Sequence, residues 1–122
     1  MSRLLILGAT GSLGRHALRQ ALAAGHDVTA FVRAPSKLPS EVRERVIVHT
    51  GDLGAGISLD LVRGQDALIN CAGHVTDGEQ FVALIDRLVS CVDLLPEAEQ
   101  PVCWLLAGAA VTTAIALALS RV

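Results

Sequence analysis

The chain has 122 residues, a length that fits one domain, expected here to span 1–122. Hydrophobic residues make up 52% and aromatics only 2%, so the core must be built from Ala, Val, Leu and Ile, the palette of parallel strands buried on both faces. A formal charge of −2 without any basic run argues against a nucleic-acid partner and against an anionic membrane surface.

In chain order, Arg3–Leu7 predicts a buried strand. The apolar run inside it is too short for a signal peptide and passes straight into a glycine turn at 8–12. Residues 13–24 predict a helix, with Leu13, Ala17, Leu18, Ala21 and Leu22 on one face and Gly25 at its stop. Asp27–Val32 predicts the second strand, and 33–40 a loop or short helix broken by Pro35 and Pro39. A third strand is expected at 46–50, a short helix at 57–62, a fourth strand at 66–70 and a longer helix at 78–95. Pro96 and Pro101 punctuate, 102–106 reads as a fifth strand, and an apolar tail follows. Such alternation predicts an α/β fold, a doubly wound parallel sheet with right-handed crossovers and strand order 3-2-1-4-5. Its ligand would lie at the carboxyl ends of the strands, beside strands one and four.

Three cysteines, Cys71, Cys91 and Cys103, are odd in number and form neither a CxxC pair nor a zinc spacing. They are expected to be buried, reduced thiols of a cytoplasmic protein, with no metal site. Residues 102–120 carry no charge and enter the length range of a membrane helix. Pro101, the strand-like 102–106 and the small residues after it favour a strand over a membrane span.

The chemistry concentrates in Gly8-Ala9-Thr10-Gly11-Ser12-Leu13-Gly14, a GxxGxxG turn between a strand and a helix. Gly8 lets the chain leave the strand sharply. Gly11 removes a side chain where a pyrophosphate would approach, and Gly14 lets the helix pack closely on the strand. The N–H groups at the helix start then face the phosphates, with Thr10, Ser12 and Leu13 as candidate contacts. The alternative is a glycine-rich turn that binds nothing. After the second strand stands Arg33, where a site selective for NAD(H) would carry Asp or Glu for the ribose hydroxyls. A guanidinium there suits a 2′-phosphate, so NADP(H) is expected over NAD(H), with Lys37 and Arg15 as further cations. Each could equally be a solvated surface charge. After the third strand, Asp52 could accept from the adenine amino group while Leu53 packs on the ring; Asp52 could instead cap a turn. After the fourth, Cys71, Ala72 and Gly73 leave room for the ribose and nicotinamide, or simply pack tightly at a sheet end.

Together, residues 8–15, Val32-Arg33, Gly51-Asp52-Leu53 and Asn70-Cys71-Ala72-Gly73 resemble the atypical short-chain dehydrogenase/reductases. The chain is most similar to their NAD(P)H-binding, NmrA-like and flavin-reductase-like branch, above all through residues 31–39. The resemblance covers roughly 1–110. It implies a Rossmann fold, NADP(H), and a cytosolic reductase, isomerase or sensor. The chain contains no tyrosine, so the Tyr-x-x-x-Lys acid of standard short-chain dehydrogenases is impossible. By that resemblance it is expected to be a shortened member, with 111–122 as an apolar, helical tail through which copies could associate.

Catalytic candidates are weak: His74 after the fourth strand and Thr112, with Thr113, after the fifth. His74 is otherwise a loop histidine, and the threonines are otherwise helix caps or core contacts. Two functions are therefore expected. One is an oxidoreductase moving hydride between NADP(H) and a small carbonyl, quinone or flavin substrate, chemistry that belongs to the cofactor. The other is a non-catalytic dinucleotide-binding module, redox sensor or inactive family member.

Overall fold

Five apolar strings pair into one parallel sheet in the computed structural model, which describes residues 2–51, 57–71 and 78–105. The strands are β1 (Arg3–Leu7), β2 (Asp27–Val32), β3 (Ile47–Thr50), β4 (Ala67–Asn70) and β5 (Val102–Leu105). Their order is β3-β2-β1-β4-β5, as the alternation of strand and helix periods predicts. β1 and β2 have the expected bounds; the other expected elements hold to within two residues.

The helices cover both faces. α1 (Ser12–Ala23) buries Ala17, Leu18, Ala21 and Leu22 against Leu4, Ile6, Val28, Ala30, Val32, Ala67 and Ile69. α3 (Leu59–Val62) and α4 (Gly78–Asp93) cover the opposite face, where Leu61, Val62, Leu88 and Val92 meet Leu5, Leu7, Phe31 and Leu68. Alternate residues of β1, β2 and β4 thus serve opposite cores, which is why these strands read as continuous apolar runs.

The segment after β2, expected as a loop or short helix broken by two prolines, forms short helical turns that the prolines begin rather than break. Pro35 begins a 3-10 turn, Pro35–Lys37, and Pro39 precedes a short helix, α2 (Ser40–Arg43). Proline suits a helix start because its fixed φ is helix-compatible and its missing N–H would lack a partner there anyway. The Val42 and Arg43 N–H groups both donate to the Pro39 carbonyl at 3.0 Å. Leu38 and Val42 are buried in the α1-side core, so this segment extends the cover over β2 and β3.

Hydrogen bonds fix the amino ends of the strands. Ser2 N–H donates to His26 Nδ1 at 3.1 Å, Asp27 N–H to the Ser2 carbonyl at 2.9 Å, and Arg3 N–H to Asp66 Oδ2 at 2.8 Å. All three cysteines are free, as expected, but the expected burial is incomplete. Cys71 and Cys91 are half-buried, and Cys103 is exposed because β5 is an edge strand. Residues 102–105 pair with β4, which rules out a membrane helix beginning at Val102. No helix among the described residues is long and apolar enough to cross a membrane, and the expected tail at 111–122 lies outside them.

Two glycines, one in the first turn of α1 and one just past its end, are required for different reasons. A Cβ at Gly14 would sit 2.7 Å from the Gly8 carbonyl carbon and 2.8 Å from Ala9 Cα, inside backbone that cannot swing away. Gly25 has φ +82° and open space around it; its N–H donates to Leu22 O and that of His26 to Ala21 O, a Schellman stop. Gly14→Ala should therefore cost ~3 kcal/mol by forced overpacking. Gly25→Ala should cost only about 1–2 kcal/mol of left-handed strain. Urea unfolding of both variants checks the order; equal losses would contradict it.

Candidate functional site

Strand register brings the exits that carry Gly8, Arg33 and Cys71 to one edge. His49, Phe31, Leu7, Asn70 and Leu105 lie level across the sheet, one row from its carboxyl boundary on β2 and β3. Gly51 N–H donates to the Val32 carbonyl and Cys71 N–H to the Leu7 carbonyl, each at 2.9 Å. The exits of β1, β2, β3 and β4 are thereby tied side by side. The Gly8 turn leaves the middle of this edge, flanked by Arg33 after β2 and Cys71 after β4.

The turn is shaped by what its residues lack. Gly8 has φ +73°, a conformation that side chains disfavour. Ala9 is fully buried in the α1-side core and anchors the turn. Gly11 N–H donates back to the Gly8 carbonyl at 3.2 Å, and the Gly11 carbonyl accepts the Arg15 N–H at 2.9 Å, closing the first α1 bond. The N–H groups of residues 12–14 precede any carbonyl four residues back within the helix. Gly11, as N-cap, offers them no side-chain acceptor, and the first turn holds no acid. Partial positive charge therefore gathers at an edge where a phosphate can supply the missing acceptors.

Gly11 and Gly14 are not equivalent. A Cβ at Gly11 would meet only Gly8 O, at an ordinary 3.6 Å, and its backbone is extended (φ −74°, ψ 172°). Nothing in the described protein demands glycine there, so the open space is available to a ligand. At Gly14 the fold itself demands glycine. The cradle thus fits a pyrophosphate at Gly11 and close helix packing at Gly14, the two roles expected from the motif.

Thr10 is half-buried beside the turn, and Ser12 and Leu13 occupy the first turn of α1. Arg33 and Lys37 are exposed, Lys37 in the 3-10 turn after β2, and Arg15 is exposed on α1. Residues 33–40 contain two cations and no acid, an electropositive exit. Asp52, Leu53, Ala72, Gly73, His74, Thr112 and Thr113 lie outside the described residues. Among the described residues no group of three or more His, Cys, Asp or Glu is placed to hold a metal ion.

Two features were not assigned from sequence. Asn70, fully buried, ends β4 level with Leu7; its signal was one polar residue closing the apolar run Ala67-Leu68-Ile69. The Phe31 ring overlies Gly51, where a Cβ would come 2.6 Å from Cζ. That contact joins residues twenty apart and has no local signature.

The fold has counterparts in known proteins. A family described as NAD(P)H-binding matches residues 8–101. The Lmo0794 protein from Listeria monocytogenes is similar in structure, with TM-score 0.73 and 25% identity over 97% of this chain and 70% of that one. A Bacteroides thetaiotaomicron protein assigned as an epimerase has TM-score 0.61 and 29% identity over 75% of this chain and 42% of its own. A Streptococcus pneumoniae protein assigned as an NADH-flavin reductase shares the fold, with TM-score 0.66 and 24% identity over 89% of this chain and 48% of its own. The chain thus spans between 42% and 70% of the length of these three proteins.

Burial pushes the Cys71 thiol up from its usual 9.0 to about 12. At neutral pH it is protonated and presents a small neutral group at the β4 exit rather than a nucleophile. Because the folded value is raised, the associated stability is full below about pH 9 and is lost as pH rises toward 12. Thermal melts from pH 8 to pH 11 should therefore fall more steeply for the wild type than for Cys71→Ala; parallel curves would contradict this.

Proposed function

The chain belongs to the NAD(P)H-binding family, which its residues 8–101 match, and from that premise we propose that it is an NADP(H)-dependent oxidoreductase of the atypical short-chain, NmrA-like type. It acts in the cytoplasm as one dinucleotide-binding domain over 1–122. The observation that carries the reading is the β2 exit, where exposed Arg33 and Lys37 stand with no acid across 33–40, beside a glycine cradle with open space at Gly11.

Each part of the edge has a task in this reading. Backbone N–H groups at Ser12 and Leu13, with the Thr10 hydroxyl, hold the pyrophosphate over Gly8, Gly11 and Gly14. Arg33 pairs with the 2′-phosphate and Lys37 supports it; a guanidinium offers two parallel donors to such a group. Asp52 and Leu53 take the adenine. Cys71, Ala72 and Gly73 keep the β4 exit low beside the nicotinamide ribose. The bound dinucleotide supplies the hydride chemistry, and the protein orients it and limits water. The substrate is a small carbonyl, quinone or flavin. A flavin is supported by the likeness to the Streptococcus pneumoniae protein assigned as an NADH-flavin reductase. His74 and Thr112 are the residues nearest in sequence to the β4 and β5 exits that could handle a proton.

One observation favours a second reading: the chain has no tyrosine to act as the short-chain acid, as a non-catalytic dinucleotide-binding module would not need one. Turnover of NADPH with a panel of quinones and flavins distinguishes them. Oxidation of NADPH above the uncatalysed rate supports the oxidoreductase, and its absence alongside retained binding supports the module.

Two variants test the site directly. Gly11→Val should keep the fold, because a Cβ there meets only Gly8 O at an ordinary 3.6 Å, yet fill the pyrophosphate space. It should abolish NADPH binding in calorimetric titration while leaving the melting curve near wild type; unchanged affinity would move the site elsewhere. Arg33→Asp replaces a phosphate partner with a repelling charge. It should weaken NADPH by about 1.5–3 kcal/mol, roughly ten- to a hundredfold, and NADH far less. Equal losses for the two would contradict the role of Arg33.

A further inference from the structure

Gly51 is a glycine without a backbone reason. Its φ lies outside the left-handed region, where among the described glycines only Gly8, Gly25 and Gly64 fall. What excludes a side chain there is the Phe31 ring: a Cβ would lie 2.6 Å from Cζ, 3.0 Å from Cε2 and 3.5 Å from Cε1. Phe31 pairs with His49, two residues before Gly51, so its ring reaches forward past the end of β3 toward the ligand edge. The ring is 7% exposed and belongs to the core cluster of Leu5, Leu7 and Leu68, which blocks retreat into the sheet. The Gly51 N–H is bound to the Val32 carbonyl at 2.9 Å, which blocks retreat of the β3 exit. Ring and glycine are therefore interlocked between two exits, one leading to Arg33 and the other to Asp52.

We propose that the Phe31–Gly51 contact positions the adenosine end of the dinucleotide site by setting the spacing between the β2 and β3 exits. This rests on the reading of Arg33 and Asp52 given above and deepens it: neither residue of the pair touches the reacting atoms. The ring acts as a spacer whose thickness is matched to the absence of a side chain at position 51. A methyl group at 51 pushes the exits apart, and a smaller side chain at 31 lets them sag together. Either change shifts the β3 exit at Gly51 relative to Arg33 while leaving the Gly8–Gly14 cradle untouched. Combining the two restores the filling.

The test is a double-mutant cycle read with two probes, adenosine 2′,5′-bisphosphate for the adenosine end and reduced nicotinamide mononucleotide for the other. Gly51→Ala and Phe31→Leu should each weaken the bisphosphate, Gly51→Ala by roughly tenfold. Neither should change the mononucleotide. The double variant should recover most of the bisphosphate affinity, a non-additivity expected only of groups in contact. If Gly51→Ala does not fold, Phe31→Leu and the double variant carry the same comparison. Unchanged bisphosphate affinity, equal weakening of both probes, or additive losses would overturn the proposal. A wild-type chain that binds neither probe would overturn the dinucleotide reading beneath it, an outcome distinct from the other three.

Discussion

The backbone of α1 lies against the turn leaving β1 because position 14 carries no side chain. A Cβ there would fall within 2.8 Å of Ala9 Cα, so any other residue would push the helix off the strand. With the helix held in, its first N–H groups point across the carboxyl edge at the center of the sheet. Ala9, buried at the turn, and Ala17, Leu18 and Ala21, buried along the helix, keep it there. Burial of a side chain such as Leu18 contributes about 1.5–3 kcal/mol, enough to hold the geometry without a side-chain cap at Gly11. A cap would satisfy the same donors that a phosphate needs. The uncapped start is thus a local cost in stability that leaves the edge able to take an anion.

Charge is arranged around that edge with little competition. Arg33 and Lys37 follow β2, and the acids that come next, Glu41 and Glu44, are exposed on and after α2. The β4 exit contributes a protonated thiol instead of a charge. An anionic ligand at that edge would meet donors and cations from β1 and β2 and a neutral thiol at Cys71. Such a division suits a molecule with phosphates at one end and an uncharged reactive ring position at the other.

Much of this was legible because the pattern repeats at every level. The apolar runs at Arg3–Leu7 and Asp27–Val32 have the strand length and composition of doubly buried strands, and the glycines at 8, 11 and 14 have a spacing that only a strand-turn-helix uses well. Strand order followed from chirality and the alternation of elements. What escaped was whatever depends on approach in space. α2 is four residues long, below the window in which a helical period can be counted, and it forms because Pro39 offers a carbonyl to two N–H groups. His26 accepts from the Ser2 N–H across twenty-four positions of chain. The exposure of Cys103 follows from its place on an edge strand, which its own sequence neighbourhood does not announce. Nothing in the sequence around Gly51 announces the Phe31 ring above it.

The most direct measurement is a pair of calorimetric titrations of the purified chain, one with NADPH and one with NADH. An uncapped glycine turn flanked by Arg33 and Lys37 predicts one site, with NADPH bound at least roughly tenfold tighter and the gap narrowing as salt screens the 2′-phosphate contact. Tighter binding of NADH, or no binding of either, would contradict it.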